Sequence, residues 1–164
     1  MKRFIILFLT TILLLTLAAC GSPQPLKTDF YTLFSAQSDD TVYAGSLNKS
    51  SDHLTVTMSE PYPIAGMVFD YSDNGLSIKS SGLSTNADAD YLPDSSVPGA
   101  LRNALLYLSQ ARYIDSENGK ESYSVTTPYG EALLTANDGY PTEITEPHSG
   151  IIFKFTAPSE AREG

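Results

Sequence analysis

Hydrophobic and polar residues alternate in short segments through most of the chain. In the segment "HLTVTMSE", Leu54, Val56 and Met58 occupy every second position, and polar residues fill the positions between them. The segment "GLSIKS" repeats this pattern with Leu76 and Ile78. A period of two is typical of a β-strand that buries one face and exposes the other. These segments are therefore predicted to be half-buried strands.

Turn-forming residues separate the alternating segments. Gly, Pro, Asn, Asp and Ser cluster between them, for example at residues 73–75 and 137–139, as β-hairpins require. The first alternating segment, "DFYTLFSA", also fits a short helix. We predict about nine strands, near residues 29–36, 41–48, 53–59, 66–71, 75–80, 122–127, 131–136, 141–146 and 150–156.

One segment between the two groups of strands has a helical pattern instead. Within "SSVPGALRNALLYLSQARYI", apolar residues recur at the i, i+3 or i+4, i+7 spacing of one helix face: Val97, Leu101, Ala104, Leu105, Leu108 and Ala111. Ser95 and Ser96 are available to cap this helix, and Pro98 is tolerated in its first turn. The preceding segment, "STNADADYLPDSS", is polar and is predicted to be a surface loop.

The number of strands limits the architecture. Nine strands spaced by about 4.8 Å make a sheet roughly 40 Å wide, whereas a helix with its side chains is about 10 Å across. Because one helix cannot cover such a face, the remaining apolar surface requires curling of the sheet, a second chain or a ligand. We predict an α+β fold: a curved antiparallel half-barrel of about nine strands in a meander, with one main helix packed on the concave face.

The chain begins with a pattern of another kind. Two basic residues, Lys2 and Arg3, precede an uncharged run from Phe4 to Leu17, which is 14 residues long. A helix that spans a bilayer core needs about 20 apolar residues, so this run is too short. A basic start, a short apolar centre and small residues at the end are typical of a secretory signal. Residues 1–19 are therefore predicted to be a cleaved signal peptide.

The signal segment ends at the only cysteine of the chain. The sequence Leu17-Ala18-Ala19-Cys20 resembles, at all four positions, the lipobox of bacterial lipoprotein precursors. This resemblance implies that a diacylglyceryl group is attached to the Cys20 sulfur and that cleavage occurs before it. The exported protein is then anchored to the extracytoplasmic face of the cell membrane. The alternatives are a plain signal peptide or an ordinary buried thiol.

The mature chain is acidic. Removal of Lys2 and Arg3 leaves 8 basic residues against 19 acidic ones, a net charge of −11. This charge disfavours binding to nucleic acid, whose phosphates require Lys and Arg, and leaves the membrane contact to the acyl chains. We predict a lipidated cysteine and tether over residues 20–28, one domain over residues 29–157 and a disordered tail over residues 158–164.

The candidate residues for catalysis or metal binding are sparse. His53 and His148 are 95 residues apart, and neither has a partner at a metal-ligand spacing. No G-x-S-x-G motif is present. Asp88, Asp90 and Asp94 lie close together, but the Gly and Glu of a calcium-binding loop are missing at the required positions. We expect no catalytic residues, no metal and no cofactor.

Five phrases follow one another along the chain: "YAGSLNKSSDHLTVTMSEP", "IAGMVFDYSDNGLSIKSSGL", the helix from Pro98 to Leu108, "YGEALLTANDGYPTEI" and "GIIFKFTAP". Their order resembles the lipoprotein-carrier superfamily of LolA, LolB and related anchored lipoproteins, over most of residues 29–157. The resemblance implies a curved half-barrel with helices on its concave side, where acyl chains are cradled. It also covers anchored lipoproteins that support a partner protein, including some that act in spore germination.

Two functions are compatible with this interpretation. In the first, the protein is a non-enzymatic binding module for a lipid, lipoprotein or other apolar ligand in the concave sheet. In the second, its own side chains fill the concavity and it supports a cell-envelope partner protein. The candidate lining residues are the inward apolar ones: Leu54, Val56, Met58, Met67, Phe69, Leu76, Ile78, Leu105, Leu108, Phe153 and Phe155.

Overall fold

The computed structural model describes residues 24–38, 40–51 and 53–161. The predicted signal peptide and Cys20 lie outside these residues. One α-helix, α1, spans Val97–Leu106, and 3₁₀ turns span Tyr62–Ile64 and Leu108–Gln110. The described strands are β1 (Phe30–Ser38), β2 (Thr41–Lys49), β3 (Leu54–Glu60), β4 (Val68–Ser72), β5 (Gly75–Ser80), β6 (Leu83–Ala87), β7 (Arg112–Glu117), β8 (Lys120–Thr127), β9 (Gly130–Asn137), β10 (Tyr140–Thr145) and β11 (Ile152–Ser159).

All of these strands form one antiparallel sheet made of two meanders. The strand order is β6-β5-β4-β3-β2-β1-β11-β10-β9-β8-β7, so consecutive strands are neighbours within each half. The pairing of β1 with β11 joins the halves. The sheet is curved and does not close, and β6 and β7 are its two edges. The predicted α+β half-barrel with one main helix is confirmed.

The helix is the link between the two edge strands, since it follows β6 and precedes β7. The Ser96 hydroxyl caps its first turn by accepting a hydrogen bond from the Gly99 amide at 3.3 Å. Pro98 occupies the first turn, where its missing N–H costs nothing. Apart from Arg102 and Leu106, every residue of α1 is buried. The helix is therefore buried over nearly its whole circumference.

The core is formed by the inward residues of the alternating strands together with the helix. β3 alternates as predicted, with Leu54, Val56 and Met58 buried, and β1 is a strand rather than a short helix. On β11, Phe153 and Phe155 are buried while Ile152 is exposed. The rings of Phe153 and Phe34 meet edge to face across the β1–β11 junction, with centroids 6.4 Å apart.

Two strands were missing from the sequence-based prediction. β6 falls partly within the predicted surface loop, and β7 falls in a segment to which no strand was assigned. All six residues of β7 and the first four of β6 are exposed, because an edge strand on an open sheet has little to cover. Such strands show no apolar alternation, and residues 24–161, as far as they are described, contain eleven strands rather than about nine. β11 also continues to Ser159, which pairs with Tyr31, two residues beyond the predicted domain boundary.

Candidate functional site

The predicted lining residues lie in one contiguous core. Met67 and Ile78 are partly buried and pack against this core. The other nine are no more than 5% exposed: Leu54, Val56, Met58, Phe69, Leu76, Leu105, Leu108, Phe153 and Phe155. Helix residues and strand residues belong to the same cluster, so the helix fills the middle of the concave face. The space that remains lies beside the helix.

A pocket of about 300 Å³, which we call the Tyr71 pocket, opens between the first half of the sheet and the C-terminal part of α1. Strand register explains its position, since Leu54 pairs with Tyr71 on β4 and with Lys49 on β2. The helix contributes Arg102 and Leu106 to its wall. The pocket thus combines apolar and cationic side chains.

Tyr71 is the most unusual residue of this pocket. Its side chain is 5% exposed, and its hydroxyl oxygen is enclosed with no hydrogen-bond partner among the described residues. Burial raises the pKa of Tyr71 to about 12, so the hydroxyl stays protonated. The Arg102 guanidinium carbon lies 5.7 Å from the centroid of the Tyr71 ring, within cation–π range.

The segment immediately before β1, residues 24–28, was predicted to be a tether but packs against the sheet. The Lys27 amide donates to the Gly139 carbonyl at 2.8 Å, and the Lys27 ammonium donates to the Tyr140 hydroxyl at 2.9 Å. The ammonium also lies 4.2 Å from the centroid of the Tyr140 ring. The hydrogen bond to Tyr140 raises the pKa of Lys27. This segment is therefore docked on the β9–β10 hairpin.

Tyr123 on β8 holds the start of the same segment. Its hydroxyl donates to the Gln24 carbonyl at 2.7 Å, and the Gln24 amide donates to a Glu121 carboxylate oxygen at 2.8 Å. Desolvation, followed by the interaction with Glu121, raises the pKa of Tyr123 to about 12. Because the segment leads directly into Phe30, which pairs with Lys49, it lies at the same end of the sheet as the Tyr71 pocket.

Asp94 is the centre of a polar cluster at the start of the helix. One carboxylate oxygen accepts from the Asn103 amide at 2.9 Å, and the other accepts from the Tyr129 hydroxyl. These hydrogen bonds, that from Tyr129 first, lower the pKa of Asp94, and the same contact raises the pKa of Tyr129. The Tyr129 ring also packs on His148, with centroids 4.9 Å apart. The cluster fastens the loop before α1 to the β8–β9 hairpin.

The convex face carries an exposed apolar row. Val42, Ile152 and Leu133 are 53%, 45% and 60% exposed. Direct strand pairing aligns them, because Gln37 pairs with both Val42 and Ile152, and Thr145 pairs with both Ile152 and Leu133. At about 4.8 Å per strand, the row extends for roughly 19 Å. We call these three side chains the convex row.

The two histidines lie in different surroundings. His53 lines the Tyr71 pocket, whereas His148 belongs to the turn that packs on Tyr129. Within residues 24–38, 40–51 and 53–161, no three His, Cys, Asp or Glu side chains are grouped as metal ligands. No helix in this part of the chain has the length and apolar character needed to cross a membrane.

Sequence reasoning missed Tyr71, Arg102 and Tyr129. Alternation in "VFDYS" places Tyr71 on the same inward side as Phe69, so its burial has a sequence signal. The contact with Arg102 has no such signal, since it depends on how far the sheet curls around the helix. Asp94 and Tyr129 are 35 residues apart, and only the folded chain brings them together.

No family profile and no curated protein sequence matches this chain. Its structure is similar to an uncharacterized conserved protein from Thermus thermophilus, with 8% identity, coverage of 85% of this chain and 82% of the other, and a TM-score of 0.51. It is also similar to the LolA superfamily protein NE2245 from Nitrosomonas europaea, with 12% identity, coverage of 87% and 88%, and a TM-score of 0.49.

A further similarity, at a TM-score of 0.41 and 11% identity, is to the structure of the CwlD amidase in complex with the GerS lipoprotein from Clostridioides difficile, covering 83% of this chain and 85% of the other. Identities this low concern the fold alone. The chain has the architecture that the sequence resemblance predicted, namely an open antiparallel half-barrel with one main helix inside it.

Proposed function

We propose that this protein is an exported lipoprotein, anchored through Cys20, that acts as a non-enzymatic interaction module for a cell-envelope protein. The observation that carries this proposal is the burial of the concave face. Nine of the eleven candidate lining residues are no more than 5% exposed, which is the state expected of a packed core. An acyl chain entering there would have to displace the helix.

The outer surface offers an alternative place for binding. The convex row presents three apolar side chains to solvent on alternate strands of the sheet, with Gln37 and Thr145 between them. Exposed apolar surface grouped on one face is a feature of interaction sites. A rigid sheet also presents them without a cost in ordering the backbone. The convex row is therefore the proposed contact for the partner.

Native mass spectrometry of the chain from Gly21 onward separates this function from lipid carriage. The described strands, helix and core all lie within residues 24–161, so the anchor can be omitted. We expect the purified chain to have the mass of the polypeptide alone. A two-chain lipid or a lipoprotein retained at a fixed stoichiometry would contradict the proposal and favour an apolar ligand within the concave sheet.

Photo-crosslinking in the cells that produce the lipoprotein tests the surface. A photoreactive residue in place of Leu133 should give a discrete crosslinked band with an envelope protein. Lys79 is a suitable control because it is exposed on β5, distant from the convex row, and forms a 3.7 Å ion pair with Asp70. Equal crosslinking from both positions would show that the convex row is not the contact.

A further inference from the structure

We propose that the Tyr71 pocket binds a small single-chain amphiphile with an anionic head, such as a carboxylate or a phosphate monoester. This site is separate from the convex row and lies on the concave face beside α1, where the helix leaves space. With a volume of about 300 Å³, it falls at the lower end of the range for small-molecule sites. A lipid with two acyl chains is too large for it, whereas one short chain with its head group fits.

Arg102 provides the charge for the anionic head. The guanidinium lies over the Tyr71 ring and is within 4.0 Å of no carboxylate oxygen among the described residues. This arrangement is notable in a chain of net charge −9, where acidic partners are abundant. Asp73 is the acidic residue that lines the pocket, and Asp94 lies near enough to interact electrostatically with both Arg102 and Tyr71. Guanidinium groups bind carboxylates and phosphates through two parallel hydrogen bonds.

The Tyr71 hydroxyl provides a second donor. An enclosed hydroxyl with no partner loses its hydrogen bonds to water, and a ligand oxygen would restore one. The Arg102 guanidinium carbon lies 5.7 Å from the centroid of the Tyr71 ring, so the two donors belong to the same part of the pocket. Leu54 and Leu106 line the same pocket and provide apolar surface for the chain of the amphiphile.

The position of the pocket relates this site to the proposed anchor. Residues 24–28 are docked at the end of the sheet where the pocket opens, and only a few residues separate Gln24 from Cys20. An anchored molecule therefore holds this end near the membrane, where amphiphiles are concentrated. Binding itself does not require the anchor, so it is measured on the chain from Gly21 onward and its failure is distinct from failure of the proposed function.

Isothermal titration with octanoate, octyl phosphate, octanol and inorganic phosphate tests the site. We expect both anionic amphiphiles to saturate one site and to bind about tenfold more tightly than octanol or inorganic phosphate. Arg102→Gln should weaken the binding of both anionic amphiphiles about tenfold and leave the affinity for octanol unchanged. The matched control is Arg112→Gln, on the exposed edge strand β7, which should leave all four titrations unchanged.

Tyr71→Phe distinguishes ligand binding from a structural role. We expect its unfolding midpoint to equal or exceed that of the native chain, since an unpartnered hydroxyl is removed, while octanoate binds more weakly. Three results would overturn the proposal: no saturable binding of either anionic amphiphile, equal weakening by the two arginine variants, or inorganic phosphate binding as tightly as octyl phosphate. An unchanged unfolding midpoint of Arg102→Gln confirms that its lost affinity is local.

Discussion

The two halves of the sheet, β1–β6 and β7–β11, are fastened to the rest of the molecule in different ways. The second half is held by polar contacts at both ends. Tyr129 bonds to Asp94 in the loop before the helix, and Tyr123, Gly139 and Tyr140 bond to residues 24–28. In the first half, the Arg102 guanidinium of the helix lies over the Tyr71 ring, 5.7 Å from its centroid.

Apolar burial does not differ between the halves in this way. Both halves bury inward residues closely, for example Leu76 at 2% and Leu134 at 1% exposure. The Tyr71 pocket lies in the first half, beside the C-terminal part of α1.

The largest expected effect concerns the shared core. Leu76→Ala and Leu134→Ala should each lower the free energy of unfolding by about 2–5 kcal/mol, because each leaves a cavity in the same packed cluster. Leu83→Ala is the control, since Leu83 is 78% exposed on β6, and it should change stability by no more than about 0.5 kcal/mol. Urea unfolding provides the measurement. If only one of the two core variants lost stability, the halves would not share a core.

The next effect concerns the fastening of residues 24–28 to the second half. Gly139 and Gly119 both have a φ of 78°, which costs an alanine about 1–2 kcal/mol at either position. At Gly139 a Cβ would also lie 2.8 Å from the Pro25 carbonyl oxygen, whereas at Gly119 nothing lies within 4 Å. Gly139→Ala should therefore cost about 1 kcal/mol more than Gly119→Ala, through loss of the Lys27 amide hydrogen bond.

Hydrogen exchange locates this second effect. The Lys27 amide donates to the Gly139 carbonyl, so its exchange should accelerate in Gly139→Ala and remain slow in Gly119→Ala. Equal exchange in the two variants would show that the segment is not held by this contact.

Sequence patterns predicted the buried half of this fold much better than its edges. Strands such as β3 and β11 alternate because one face meets the core, and the helix has an apolar stripe for the same reason. β6 and β7 bury almost nothing, so their residues carry no periodic signal. Edge strands form because a neighbouring strand offers unpaired backbone groups, which is a property of the sheet and not of the segment.

The candidate sites were harder to predict than the fold. Leu54 and Phe69 were correctly placed on the inward face, but their neighbours decide whether that face is open or filled. The helix fills it, and this depends on the curvature of the sheet. Arg102 and Leu106, which line the Tyr71 pocket, are the two α1 residues that are not buried, at the edge of the apolar stripe. Such an edge position usually indicates only a solvated side chain.

The smallest expected effect tests the polar fastening at the start of the helix. Tyr129→Phe removes the hydrogen bond that contributes most to lowering the pKa of Asp94. A carboxylate whose pKa is lowered by folding stabilises the native state at any pH above its ordinary pKa of 3.8. This stabilisation is lost as the pH falls through the pKa of the folded state. The variant should therefore be slightly less stable than the native chain near neutral pH, and the difference should shrink below about pH 4.

Urea unfolding of both chains at about pH 7 and about pH 3 measures this difference. Tyr91→Phe is the matched control because Tyr91 lies exposed in the same loop, and loss of its hydroxyl should have no pH-dependent effect. A stability difference for Tyr129→Phe that stays constant down to pH 3 would mean that Asp94 does not carry the fastening. The packing of the Tyr129 ring on His148, which the variant keeps, would then account for the attachment of this hairpin. The asymmetry between the two halves would in that case rest on residues 24–28 alone.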